Sequence, residues 1–110
     1  MSITVEASGT QSAVTATSYT LSQPTTAGVY QFITDLNELA GSDVIELRVE
    51  MKVLTAGTKR VLFSATYGGA QSEPIKMSPP VSVPFGADFI LNNISSGATR
   101  SIPWSVLKLS

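Results

Sequence analysis

The sequence predicts an all-β protein, built as an antiparallel β-sandwich of about eight strands. Three observations lead to this fold class. Apolar and polar residues alternate from Ile45 to Val53, the pattern of a strand with one buried face. Strand and turn signals recur roughly every 8–15 residues, and only one short segment has a helical signal. Eight short strands fit a jelly roll, and an immunoglobulin-like sandwich is the alternative.

The first 27 residues are rich in Ser, Thr and Ala and predict two weak strands. Ile3 and Val5 share one face of the first strand, which residues 9–12 are expected to break. Residues 13–21 form the second strand. We interpret both as edge strands, because hydroxyl side chains suit an exposed sheet face. The alternative is an extended N-terminal arm, residues 1–27, that docks on a neighbouring subunit.

A third strand is predicted at residues 29–34, where Tyr30 and Phe32 share a face. A short helical signal follows at residues 35–41. Asp35 precedes Glu38 by three residues, as in a capping box, and a glycine ends the segment. We therefore expect one or two helical turns here, with the two leucines of the segment covering an open end of the core.

Residues 44–54 and 59–67 are predicted to form a hairpin. Both segments alternate, and a short turn containing Gly57 separates them. The residues predicted to face the core are Ile45, Leu47, Val49, Met51 and Val53 in the first segment and Val61, Phe63, Ala65 and Tyr67 in the second.

Prolines dominate the next part of the chain. Four of them fall within residues 74–84, and proline removes a hydrogen-bond donor from the sheet. Only two short edge segments are therefore predicted, at 74–77 and 81–83. A strand at 88–94 and a final strand at 100–109 complete the domain, taken as residues 1–110. The final strand is apolar on both faces, which indicates cover on both sides, from a second sheet or a partner chain.

Composition argues against several classes of function. The chain has 7 basic and 8 acidic residues without blocks of like charge, so neither nucleic acid nor an anionic membrane is an expected partner. It contains no Cys and no His, the most common residues of metal and acid–base sites. It begins without a secretory signal pattern, and its apolar runs are short. We expect folding in a cytoplasm.

No catalytic, cofactor-binding or metal-binding residue is predicted, and the chain is not expected to be an enzyme. Glu46 and Glu50 alternate with basic residues on a solvated face, whereas a glycosidase needs a carboxylate in an apolar pocket. Asp35 and Glu38 lack the spacing of a calcium loop. Trp104 is interpreted as a core or sheet-end residue, with exposed sugar stacking as the alternative.

A surplus of apolar residues is more informative than the polar ones. Several fall outside the predicted core faces or lie in the proline-rich segment, and monomers rarely expose large apolar patches. Either a second sheet or another subunit must cover them. The candidate interface residues are Ile3, Val5, Leu62, Ile75, Met77, Leu107 and Leu109.

In overall style the chain resembles the small structural proteins of tailed bacteriophages, such as capsid decoration (cement) proteins and neck or tail components. The features that carry the resemblance are the Thr/Ser/Ala-rich beginning, the hairpin at 44–67 and the proline-rich crossover at 74–84. The resemblance implies a symmetric oligomer, often a trimer. It further implies location in the virion, binding to other virion proteins and stabilisation of the particle. The alternative function is a small carbohydrate-binding or adhesion module that uses its aromatic residues.

Overall fold

A computed structural model describes residues 2–109, and within that range the chain forms nine β-strands and no helix. The all-β prediction is confirmed. The strands are β1 (Ile3–Ala13), β2 (Thr17–Ser22), β3 (Gly28–Asp35), β4 (Val44–Met51), β5 (Arg60–Gly68), β6 (Ile75–Met77), β7 (Val81–Val83), β8 (Ala87–Ser95) and β9 (Arg100–Leu109).

The strands form two antiparallel sheets. Sheet I has the order β1-β9-β3, and β3 pairs on its far side with both β6 and β7. Sheet II has the order β2-β8-β4-β5. The chain thus pairs its first strand with its last, its second with its second-to-last, and so inward to the β4–β5 hairpin. A long hairpin doubled over in this way is the jelly-roll arrangement, in which β6 and β7 together occupy one strand position.

Alternation along the strands builds one core between the sheets. Ile45, Leu47 and Val49 of β4 are fully buried, as the sequence pattern predicts. They face β3. The Tyr30 and Phe32 rings of β3 also contact the Phe89 ring of β8, at centroid distances of 5.9 and 5.7 Å. Each large apolar side chain buried in this way contributes about 1.5–3 kcal/mol.

The predicted helical turn at residues 35–41 is wrong, because non-helical turns occupy this segment. Asp35 accepts a hydrogen bond from the Asn37 amide at 3.0 Å, which closes a local turn. Glu38 does not fold back as a capping box requires; its carboxylate accepts the amide of Ser101 instead. The two leucines of the segment are nevertheless buried, at 0% and 3% exposure, and cover the end of the core as expected.

Three predicted strand boundaries also differ from the structure. β2 begins at Thr17 rather than at residue 13, because Ala13 belongs to β1 and pairs with Arg100. β1 continues through residues 9–12, because this stretch pairs with the whole first half of β9. β4 ends at Met51, and Val53 is 72% exposed rather than part of the core. The β4–β5 hairpin itself is confirmed, as are the short edge segments β6 and β7. Val61, predicted to face the core, is instead 55% exposed, because a register shift in the hairpin pairs it with Glu50.

Candidate functional site

The outer face of sheet I includes one side of β9, a strand that has apolar residues on both of its faces. Ile102 and Val106 of β9 point into the core and are fully buried. Their neighbours point outward, because successive side chains of a strand alternate. Among these outward residues are Leu107 and Leu109, which are only partly covered by the chain itself.

β3 follows the same rule. Tyr30 and Phe32 are buried in the core, while Val29 and Ile33 face outward and are half-buried. The sequence also indicates an outward apolar face, since residues 29–34 have apolar side chains at both odd and even positions. The sequence prediction, however, concerned only the face that Tyr30 and Phe32 share.

The strand registers gather these outward residues into one patch. Ile3 lies beside Leu109, which in turn lies beside Val29, and Val5 lies beside Leu107. Directly paired residues of antiparallel strands carry their side chains on the same face of a sheet. We call these five residues the apolar ridge.

Next to the ridge, the same face carries small side chains. Ser8 pairs with Ser105, and Thr10 pairs with Pro103. A shallow depression of about 400 Å³ opens over these four residues. We call it the groove; its far wall is formed by Ile33, Asp35 and Ile75.

Six of the seven candidate interface residues lie together on this outer face: Ile3, Val5, Ile75, Met77, Leu107 and Leu109. Ile3 and Val5 are each 62% exposed, and the two residues of β6 are about half exposed. The seventh candidate, Leu62, is not brought to this face. It lies on β5 in sheet II and is 44% exposed.

The centre of the outer face of sheet II is charged in contrast, although the strands of this sheet also expose Val61, Leu62 and Ile94, at 55%, 44% and 44%. Arg48 of β4 lies between two carboxylates, with its Nη1 atom 3.2 Å from Glu46 and its Nε atom 3.0 Å from Glu50, the second an ion pair without hydrogen-bond alignment. The amide of Asn92 also donates to Glu46. Such pairs add little stability, about 0–1 kcal/mol each, but they suit this face to water.

Basic side chains of sheet I turn away from its outer face. Lys76 and Lys108 lie over tyrosine rings, 5.3 and 5.8 Å from the ring centroids, and Arg100 binds a buried carboxylate. The acidic side chains that the described strands of this sheet carry are Asp35, at the end of β3, and Glu6, at the β1 bulge. The centre of the outer face is therefore uncharged within residues 2–109.

Trp104 is half-buried and packs against the core, in agreement with its interpretation as a core or sheet-end residue. It pairs with Gly9, so no side chain covers the indole from β1. Trp104 is also among the residues of the groove, but its indole lies on the inner face of β9, on the same side as Ile102 and Val106. The carbohydrate-binding alternative therefore has only the exposed part of this half-buried ring to offer a sugar.

Asp43 is the ionisable group most firmly embedded in the described structure, with 2% of its surface exposed. Its carboxylate accepts hydrogen bonds from the amides of Gly97 and Ala40 at 3.0 and 3.1 Å and from Arg100 Nε at 2.7 Å. Burial acts to raise the pKa of Asp43, but these hydrogen bonds and the Arg100 charge outweigh burial and hold the pKa below its usual value. The carboxylate therefore stays ionised and ties the turn at residues 40–43 to the turn between β8 and β9.

Residues 2–109 contain no cluster of three or more acidic side chains placed to hold a metal ion. Asp35 and Glu38, weighed above as calcium ligands, are instead occupied by backbone amides. Within the same described range, no helix has the length and apolarity needed to span a membrane.

Comparison with known proteins found no relative: no protein-family model, no curated protein and no solved structure matches the chain. The apolar ridge on the outer face of sheet I is the feature from which a function can be argued.

Proposed function

We propose that the chain is a non-enzymatic structural protein of a virus particle, either a capsid decoration (cement) protein or a neck or tail component. It stabilises the particle through contacts with other copies and with other virion proteins. The observation that carries this proposal is the difference between the two outer faces of the sandwich. The outer face of sheet II has the Arg48 ion pairs at its centre and separate exposed apolar residues on β5 and β8, whereas the outer face of sheet I presents the contiguous apolar ridge.

The size of the apolar face supports a role in binding. Four strand positions at about 4.8 Å spacing and strands of about ten residues give a whole outer face on the order of 600 Å², of which the apolar ridge covers roughly half. The largest apolar patch on a soluble protein, roughly 300–600 Å², is often functional. Covering the ridge removes Ile3 and Val5, each 62% exposed, from water.

The fold agrees with this proposal without deciding it. Jelly rolls occur in viral capsid proteins and also in lectins, so the topology alone fits both candidate functions. The proposal further places the protein in the virion after synthesis in the host cytoplasm.

The direct test is to purify particles of the virus that encodes the chain and to measure the chain in them by mass spectrometry. We expect a fixed ratio of this chain to the major capsid or tail protein. Leu107→Glu places a charge in the apolar ridge and should reduce incorporation at least tenfold. Thr66→Glu is the matched control, because Thr66 is exposed on β5 of sheet II. Particles that lack the chain would contradict the proposal.

The second candidate is a carbohydrate-binding or adhesion module, for which the half-buried Trp104 is the aromatic residue available to a sugar. Aromatic faces are apolar platforms on which sugar rings stack. A glycan array, followed by titration of Trp104 fluorescence with any positive glycan, tests this function. A quenched or shifted emission that is lost in Trp104→Phe would support it, and an array without binding would remove it.

A further inference from the structure

We propose that a second copy of this chain covers the outer face of sheet I, in a two-fold dimer with the two sheets packed face to face. The two-fold axis lies between the sheets and crosses their strands at right angles. The apolar ridge of each copy then enters the groove of the other. This inference rests on the proposed function, because it names the first partner of that same surface.

The shape of the face is self-complementary along the strands. The ridge occupies one half of β1 and β9, and the groove floor occupies the other half of the same two strands. A rotation that reverses strand direction places Leu107 over the partner's Ser105 and Val5 over the partner's Ser8. Large side chains thus meet small ones, reciprocally, as a two-fold interface requires.

The groove is large enough for this exchange. Its volume is about 400 Å³, well above the ~150 Å³ of an apolar cavity that accommodates benzene. It therefore has room for several aliphatic side chains of the ridge. Aligned sheets pack about 10 Å apart with interdigitated side chains, which is the contact that this arrangement produces.

The area also fits a dimer. A face on the order of 600 Å² per copy gives about 1,200 Å² in total, which is the lower end of the range for specific interfaces. Three flat faces cannot pack on one another at once, so a three-fold ring would leave much of each ridge exposed. A two-fold axis covers both ridges fully.

The charges allow the contact. The three basic side chains of sheet I turn inward, so none of them is buried against the partner. Glu6 lies on the outermost strand and is exposed, so it remains at the rim. Asp35 lines the groove at the end of β3 and is the one charge that the partner's ridge approaches. Its carboxylate already accepts the Asn37 amide, which offsets part of the cost of covering it.

The first test is the solution mass of the purified chain by light scattering over a range of concentrations. We expect a species of twice the monomer mass of 11.6 kDa. Leu107→Glu should raise the dissociation constant at least about 30-fold, as the loss of a central contact does. Thr66→Glu should leave it unchanged. A monomer at all concentrations, or a trimer, would overturn the proposal.

A mixing experiment tests which residues face each other. Ser105→Lys should also weaken the dimer, since it places a charge in the groove. A mixture of Leu107→Glu and Ser105→Lys should associate at least about tenfold more tightly than either variant alone, because the two new charges then meet across the axis. Circular dichroism confirms that each variant is folded. Folded variants without mutual association would contradict the ridge-in-groove arrangement.

A cross-link tests the direction of the axis. The described chain has no free cysteine, so Ser8→Cys introduces a unique thiol on β1. In the proposed dimer β1 lies over the partner's β1, and a short bismaleimide should link the two copies. If the axis instead ran along the strands, β1 would lie over the partner's β6 and β7, and the two copies of β1 would be three strand spacings, roughly 15 Å, apart across the sheet. Absence of the link in a proven dimer would exclude the proposed axis.

These results separate the inference from the proposed function. A dimer that is absent from virus particles would leave the inference intact and contradict the function. A chain that is present in particles but monomeric in solution would leave the function intact and overturn the inference.

Discussion

Two single residues, Asp43 and Gly86, lie in unusual local environments that the neighbouring chain stabilises. Asp43 is a buried carboxylate made tolerable by three donors, one of them the guanidinium of Arg100. Gly86 has a φ of +92° and lies against the carbonyl of Pro24. Both residues hold loops at the ends of the sandwich, and both can be tested by a single substitution.

Asp43→Asn should lower the free energy of unfolding by about 2–3 kcal/mol, because an amide NH₂ group would face donors and the charge-assisted bond to Arg100 would be lost. Chemical denaturation measures the change. Asp35→Asn is the control, since Asp35 accepts one hydrogen bond at an exposed turn, from Asn37. It should cost less than about 1 kcal/mol. Equal losses in both variants would contradict the structural role of Asp43.

The effect of Asp43 should depend on pH. Its pKa is lower in the folded protein than the ordinary value of 3.8. The carboxylate therefore contributes stability that is complete above the unfolded pKa and is lost as the pH falls through the folded pKa. The stability difference between the protein and Asp43→Asn should stay constant from pH 7 to about 5 and shrink below about pH 4. A difference that persists undiminished at pH 2 would argue against this origin.

Gly86→Ala should destabilise the fold by about 2–4 kcal/mol, because a Cβ atom would lie 2.8 Å from the Pro24 oxygen and the backbone angle is strained for any L side chain. Gly9→Ala offers the contrasting case. Its Cβ would lie 3.5 Å from the Trp104 ring, an ordinary contact. Thermal unfolding should show little change for Gly9→Ala, or a gain of up to about 0.5 kcal/mol.

At the scale of strands, alternation predicts a face only as far as pairing continues. Val49 and Val53 belong to the same predicted face, yet Val49 is fully buried and Val53 is 72% exposed. β4 ends between them, where the chain leaves the sheet. The pattern extends beyond the strand because nothing local marks the end of pairing.

The substitutions Val49→Ala and Val53→Ala are therefore a matched pair. Val49→Ala should cost about 2–3 kcal/mol, from two buried carbon groups and the cavity that remains. Val53→Ala should change the free energy of unfolding by less than about 0.5 kcal/mol. Denaturant unfolding of both variants measures the difference, and similar costs would contradict the strand boundary.

Most of the strands could be predicted from the sequence, because each alternates within itself. The helical turn at 35–41 could not be judged correctly, since Glu38 binds the amide of Ser101, a residue far along the chain. For the same reason the length of β1 was underestimated, because its pairing with β9 overrides the break expected at Gly9. The choice of a jelly roll over an immunoglobulin-like order also depends on such long-range pairs.

The candidate surface was predictable in its residues but not in its shape. Apolar surplus identified Leu107 and Ile75 as exposed, but only the registers place them on one face. The groove was not predictable at all, because it arises where small residues of β1 and β9 become neighbours. Leu62 satisfied the same compositional rule and lies on the other sheet.

For the whole molecule, dimerisation would link stability to concentration. If two copies share the outer face of sheet I, the midpoint of thermal unfolding should rise by roughly 2–5 °C for each tenfold increase in protein concentration. Leu107→Glu should abolish this dependence, whereas Thr66→Glu should retain it. Differential scanning fluorimetry at several concentrations measures both, and a midpoint independent of concentration would argue against the dimer.

The pairing of β1 with β9 also has a consequence for synthesis. About ninety residues separate the two strands, so a ribosome working at roughly 5–20 residues per second needs about 5–18 s to supply the partner of β1. During that interval β1 is an unpaired strand beside the growing chain. Its composition suits this delay, because Thr4, Ser8, Thr10, Gln11 and Ser12 keep it well hydrated. A hydroxyl-rich first strand is thus a means of keeping the nascent chain soluble until its last strand is made.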